Sequence, residues 1–352
     1  MRALVSNVRR RVRSILVLLS ALCAGCSVLL PPDRPALVPA QDKAEAAALA
    51  PVVEQHLEHG DLDSAAERSR MLVLYDPVTP EISVLAARGI AAKAKRDGDA
   101  KSYEDAVKLA RNAVEAAPRD PSAQLVYADL QLGRRYYTAA LAGYRAALEL
   151  EPKSLAARRG IAFAHRGLRQ PKAERQAWED VLSAAPDDAE GNARLGFLLL
   201  QGVGGEGSDE EAERGRELLD RAVTVNSNDA FTLQVVGLLD AESGDLDAAE
   251  NHLRRALVAA TGTDSRLEGD AAFNLGVLMQ ARGRTTEARD LYERCLLLDG
   301  DDVRATTNLG FLLLDHGAPT QGRALLNEAL ALGVDKTTAT AIRTKLESAS
   351  TP

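Results

Sequence analysis

Aromatic residues are scarce: Phe, Trp and Tyr make up 4% of the 352 residues, with a single Trp. A chain of this length would ordinarily form two or three globular domains. With 46% apolar residues and so few rings, abundant Ala, Leu, Arg and Glu instead suit thin stacked helices, whose crossings need small side chains. Histidine is equally thin, at five. His56 and His59 lie three apart beside Glu54 and Glu58, but the H-E-x-x-H arrangement of a zinc protease is missing. His165, His252 and His316 are far apart in the chain. Asp299-Gly300-Asp301-Asp302 lacks the Glu that a calcium loop needs. No nucleophile–base–orienter set is visible, so neither metal nor cofactor is expected and an enzyme is the rival class. Gly202, Gly204 and Gly207 satisfy G-x-G-x-x-G. The phosphate-binding form of that motif follows a strand, and no strand pattern surrounds it here. A loop is the expectation, with a hinge as its one functional use.

What the chain does have is a period. Phe273-Asn274-Leu275-Gly276 lies 34 residues before Thr307-Asn308-Leu309-Gly310, and Gly283, Ala288, Tyr292 and Cys295 lie 34 before Gly317, Gly322, Leu326 and Ala329. A period of this length marks a solenoid. Within one row, Ala272, Leu275, Gly276 and Met279 share a helical face. Gly283 breaks the helix, and Thr285 or Thr286 offers a hydroxyl to cap a second one. Ala288, Leu291, Tyr292 and Cys295 form the inner face of that second helix. Two short helices cannot bury a core alone, so each pair must lean on the next.

Similar rows recur from near residues 46, 87, 121, 155, 189, 230, 269 and 303, with the solenoid spanning 44–334. Gly60-Asp61-Leu62-Asp63 returns as Gly244-Asp245-Leu246-Asp247, where Asp61 or Asp63 is a natural cap. Pro118, Pro152 and Pro186, each 34 apart, close second helices that proline cannot continue. Glu174 stands where a small residue is expected, which predicts loose packing in the fourth row. Asp335 to Ser348 reads as a polar-faced helix covering the end of the stack, within a cap and tail over 335–352.

These rows resemble the tetratricopeptide repeat (TPR), with its large residue, Leu-Gly, turn, and small and aromatic residues before a final Pro. The resemblance implies an all-α superhelix of about eight helix-turn-helix repeats plus a C-terminal capping helix. It also implies that the first helices line a concave, partner-binding face. All five Phe fall there: Phe163, Phe197, Phe231, Phe273 and Phe311. Such a row suits capture of an extended or helical peptide, and equally suits padding between neighbouring repeats. The resemblance gives Asn274 and Asn308 a role in holding peptide backbone. Arg159 and Arg166 are seven apart, and Arg194 belongs to the next row. They offer forked hydrogen bonds to a partner carboxylate, or local pairing with Asp129 or Glu190.

Residues 1–25 read as a leader, not as fold. Arg2, Arg9, Arg10, Arg11 and Arg13 precede an apolar run from Ile15 to Leu22. Leu22-Cys23-Ala24-Gly25-Cys26 then resembles a bacterial lipoprotein signal, which implies lipid on Cys26, although Cys23 stands where an aliphatic residue is usual. The alternatives are an uncleaved span over Ser14 to Leu30, or a redox pair of Cys23 and Cys26. Ser27 in place of Asp implies the outer membrane, facing the periplasm, rather than inner-membrane retention or a soluble periplasmic form. Pro31, Pro32, Pro35 and Pro39 make 26–43 an extended tether, reaching about 50 Å at ~3 Å per residue. Loss of the leader moves the formal charge from −8 to −13, which argues against nucleic acid and anionic lipid as surface partners. Cys295 would then be a buried small residue at a crossing. TPR lipoproteins of this build support secretin assembly in Flp/Tad-type and type IV pilus systems, and others dock peptidoglycan hydrolases or a protease. A non-enzymatic scaffold for a protein or peptide client is therefore the expected function; the sequence leaves client, pathway and oligomeric state open.

Overall fold

The computed structural model describes residues 40–203 and 207–348. The leader, Cys26 and most of the Pro-rich tether lie outside the described residues, as do residues 204–206 of the glycine-rich stretch. Among the described residues there are seventeen α-helices and no strand. Sixteen of them pair as eight hairpins. The first helices are α1 (Ala40–Glu58), α3 (Pro80–Asp97), α5 (Pro121–Gly133), α7 (Leu155–Gly167), α9 (Ala189–Leu200), α11 (Ala230–Ser243), α13 (Ser265–Ala281) and α15 (Val303–Asp315). Their partners are α2 (Leu62–Tyr75), α4 (Ala100–Ala116), α6 (Tyr137–Leu150), α8 (Pro171–Ala184), α10 (Asp209–Val225), α12 (Leu246–Ala260), α14 (Thr285–Leu298) and α16 (Pro319–Leu332). The last helix, α17 (Lys336–Ser348), buries Ile342 against Leu326 and Ala329 and so closes the apolar end of the stack.

Local chemistry sets the boundaries. Asp61, Asp99, Asp120, Asp188, Asp229, Asp245, Asp264 and Asp302 each precede a helix and accept a hydrogen bond from its first-turn amides. Pro80, Pro121, Pro171 and Pro319 stand in the first turn, where a missing N–H costs nothing. The first helix starts at Ala40, directly after Pro39, so the last four residues assigned to the tether are helical. The cap expected from Thr285 or Thr286 does not form. There Gly283 adopts φ +73°, the Arg284 amide donates to the Met279 carbonyl, and the helix begins at Thr285 with Arg284 in the capping position.

Small residues let each hairpin close. A β-carbon added to Gly276 would lie 2.8 Å from Tyr292, closer than real side chains approach. Ala288, opposite, has no exposed surface. The fourth hairpin is not loose: Trp178 and Val181 are fully buried, and Glu174 itself is 8% exposed. Its carboxyl lies within reach of the fields of Arg166 and Arg194 and of the Trp178 side chain.

Candidate partner-binding groove

First helices pack on the next first helix, as α1 does on α3, α3 on α5, α5 on α7, α9 on α11 and α11 on α13, whereas second helices lack such packing to a comparable degree. The stack therefore curves toward its first helices, which line the inner face.

The five Phe rings are all half-buried on that face, and the structure divides them between the two uses open to them. Phe163 meets Trp178 edge-on, with ring centroids 5.2 Å apart, and Phe273 leans on Tyr292 at 6.0 Å. These rings mostly brace their own hairpins. Phe197 and Phe231 meet edge-to-face at 5.7 Å across two repeats and line an open cavity of about 370 Å³. Phe311 lines a shallow groove against Lys336, Thr340 and Thr344 of the capping helix.

The three arginines do not form one cluster. Arg159 pairs with Asp188, rather than with Asp129 or Glu190. Asp188 also caps α9 through the Gly191 amide, so it already stands fixed beside the Arg159 guanidinium. Asp129 instead accepts from the Tyr144 hydroxyl at 2.7 Å. Arg194 lies 3.7 Å from Glu190, a loose ion pair, and its guanidinium stacks 3.7 Å above the Phe231 ring centroid and 5.5 Å from that of Phe163. Arg166 is exposed and makes no ion pair among the described residues. Of the two asparagines, Asn308 donates to the Tyr292 hydroxyl at 3.4 Å, while Asn274 faces the cavity without a side-chain hydrogen bond among the described residues.

Three cavity residues escape a search for aromatic rows. Gln234, Arg266 and Arg304 line the same space. Gln234 has a legible signature, as the one amide inside the apolar run Phe231 to Leu239. Arg266 and Arg304 come from α13 and α15, and only the curvature of the stack brings them near Arg166.

Elsewhere, Cys295 is buried and its thiol faces an Asp302 carboxylate oxygen at 3.5 Å. Burial, and then the negative charge of Asp302, push the thiol up to about 12. His56 pairs with Asp61 at 3.1 Å and the His59 ring contacts the Gln55 carbonyl. Among the described residues no three His, Cys, Asp or Glu side chains gather at metal-binding distance. Among them, too, no helix is long and apolar enough to cross a membrane.

Sequence models of the tetratricopeptide repeat match residues 228–298, and residues 91–154 with 280–335. No curated protein matches the sequence. Among solved structures, the APC/C hetero-tetramer Cut9–Hcn1 superposes with a TM-score of 0.64 at 16% identity, covering 82% of this chain and 52% of that one, so this chain spans about half of that protein's length. The pilF protein of Pseudomonas aeruginosa gives 0.49 at 15% identity, over 61% of this chain and 91% of that one. A tetratricopeptide repeat protein of Parabacteroides merdae gives 0.48 at 16%, over 76% and 98%. Likeness at these identities speaks for fold alone. With tetratricopeptide repeats matched over those residues and eight stacked hairpins among the described residues, the chain folds as a TPR solenoid.

Proposed function

We propose that the protein is a non-enzymatic scaffold, anchored in the cell envelope by lipid on Cys26, that holds a protein client in its concave groove. The observation that carries the binding role is the inner face itself. Phe197 and Phe231 border an open cavity, and Arg166 and Asn274 face it with hydrogen-bonding capacity unused by the described residues. A groove with apolar walls and a few unspent polar groups suits an extended chain or a helix.

The anchor rests on the sequence. The basic leader, the apolar run and Leu22-Cys23-Ala24-Gly25-Cys26 resemble a lipoprotein signal, and Ser27 favours the outer membrane with the solenoid in the periplasm. Support of pilus or secretion-complex assembly is suggested by the resemblance of the leader and repeats to TPR lipoproteins of such systems; docking of a peptidoglycan hydrolase or protease is the second reading.

Two experiments test this. Replacing Cys26→Ser is expected to abolish palmitate labelling and release the protein from membranes, and unchanged labelling rules that site out. A photo-crosslinking residue placed at Phe197 or Asn274 is expected to trap a client in cells, whereas one at exposed Lys108 on the second helix α4 is not. Equal trapping from both faces contradicts a groove client.

A further inference from the structure

The cavity between α7, α9, α11 and α13 is richer in donors than in acceptors. Gln234 is 8% exposed, yet its Nε2 has no hydrogen-bond partner. Arg194 Nε is likewise buried without a partner. Arg166 and Arg266 reach the cavity without an ion pair among the described residues. Its two carboxylates are already engaged. Asp264 accepts from the Arg266 and Leu267 amides, and Asp270 accepts from Arg304 at 2.8 Å. A buried amide donor left unmet costs free energy, and so does a guanidinium whose compensation is incomplete.

The field around Arg194 points the same way. Burial, and next the neighbouring Arg166, lower its proton affinity below the ordinary arginine value even with Glu190, Asp229 and Glu174 nearby. A further acceptor beside Arg194 would oppose that lowering. Stacking on Phe231 and Phe163 fixes the Arg194 plane before any ligand arrives, so little is lost in ordering it on binding.

We propose that this cavity reads an acidic side chain, Asp or Glu, within an extended stretch of the client. A carboxylate brings acceptors and no donor, which complements Gln234 Nε2 and the guanidinium groups of Arg166 and Arg194. The walls favour a carboxylate carried on a chain over a free anion. Phe197, Val235 and Leu238 border the same space and suit the apolar neighbours of such a residue. The proposal rests on the groove reading above and adds the chemistry of what the groove selects.

The test uses the full chain, immobilised, and degenerate nonapeptide pools with a central Asp, Glu, Asn, Gln or Lys. Peptides retained are quantified by mass spectrometry. Acidic centres are expected to exceed their amides by about tenfold, the discrimination of one charge-assisted hydrogen bond. That preference should vanish in Arg166→Gln, and in Gln234→Glu it should turn toward basic centres. Gln234→Leu removes the donor without adding charge and should also erase the preference; circular dichroism checks that each variant keeps its helices. Equal retention of acid and amide pools, or a preference unchanged in these variants, overturns the proposal. Retention that needs Phe197 but ignores the central residue leaves the groove reading standing and removes only this one. Failure to retain any pool removes both.

Discussion

A β-carbon built on Gly196 would lie 2.8 Å from the Gly215 carbonyl oxygen, and one built on Gly215 would lie 2.9 Å from the Gly196 carbonyl. Helices α9 and α10 therefore cross backbone against backbone, and the Leu219 and Leu200 Cγ atoms, each 3.0 Å from one of the two β-carbons, close the space further. Gly215→Ala is expected to cost about 1–3 kcal/mol through overpacking. Gly283→Ala should cost about 1–2 kcal/mol for a different reason. Its surroundings are open, but its φ is +73°, where a β-carbon strains the backbone. Urea midpoints measure both, and a wild-type midpoint for Gly215→Ala would contradict the close crossing.

Glu174 is a buried acid whose environment disfavours its charge. Burial raises its proton affinity, and the fields of Arg166 and Arg194 only partly oppose that. A carboxyl with a raised folded value destabilises the fold while ionised, and the penalty fades as pH falls through that value toward the unfolded one, about 4.3. Glu174→Gln should thus melt above the wild type at pH 7 and level with it near pH 4. A variant that melts lower at pH 7 would show that the carboxylate is net stabilising.

Asp302 has the opposite sign. Burial works against its charge, but the hydrogen bond from Arg304 and the Ala305 amide outweigh it, and the carboxyl is held below its ordinary value. The stabilisation is present above the unfolded value of about 3.9 and is lost as pH falls through the lower folded one. Asp302→Ala removes a helix cap as well, so a loss of about 1–2 kcal/mol is expected at pH 7. The gap to wild type should narrow in melts recorded near pH 3; a constant gap would place the effect in packing rather than charge.

Cys295 is predicted to be inert. With its thiol buried and pushed up to about 12, the thiolate fraction at neutral pH is negligible. In a background carrying Cys23→Ser and Cys26→Ser, a thiol reagent should modify Cys295 only in denaturant. Rapid labelling of the native protein would show that α14 and α15 separate readily.

The repeat period was readable because each hairpin repeats the same physical demand: a small residue at the crossing, an αL turn, a capped start. Gly276 facing Tyr292, and Ala288 opposite, are such positions, and they follow from spacing alone. Turn detail was less legible. Thr285 looked like a cap, but the choice between adjacent residues depends on where the Gly283 turn releases the chain. The groove was half legible. Phe197 and Phe311 share one offset in their rows, yet Phe197 borders a central cavity while Phe311 meets the capping helix. Arg159 and Arg194 are equally plausible on paper. Their different fates depend on Asp188 lying beside one and Phe231 beneath the other, and both facts come from packing between repeats.

The ion pairs between repeats join residues about one repeat apart, as in Arg96 to Asp63, Arg284 to Glu250 and Arg304 to Asp270. The helices likewise pack chiefly on their nearest and next-nearest neighbours. Among the described residues, a molecule wired this way is held mainly neighbour to neighbour. Its ends can melt while its middle persists, a pull along its axis is shared out between hairpins, and a protease should shorten it by whole hairpins, stepwise.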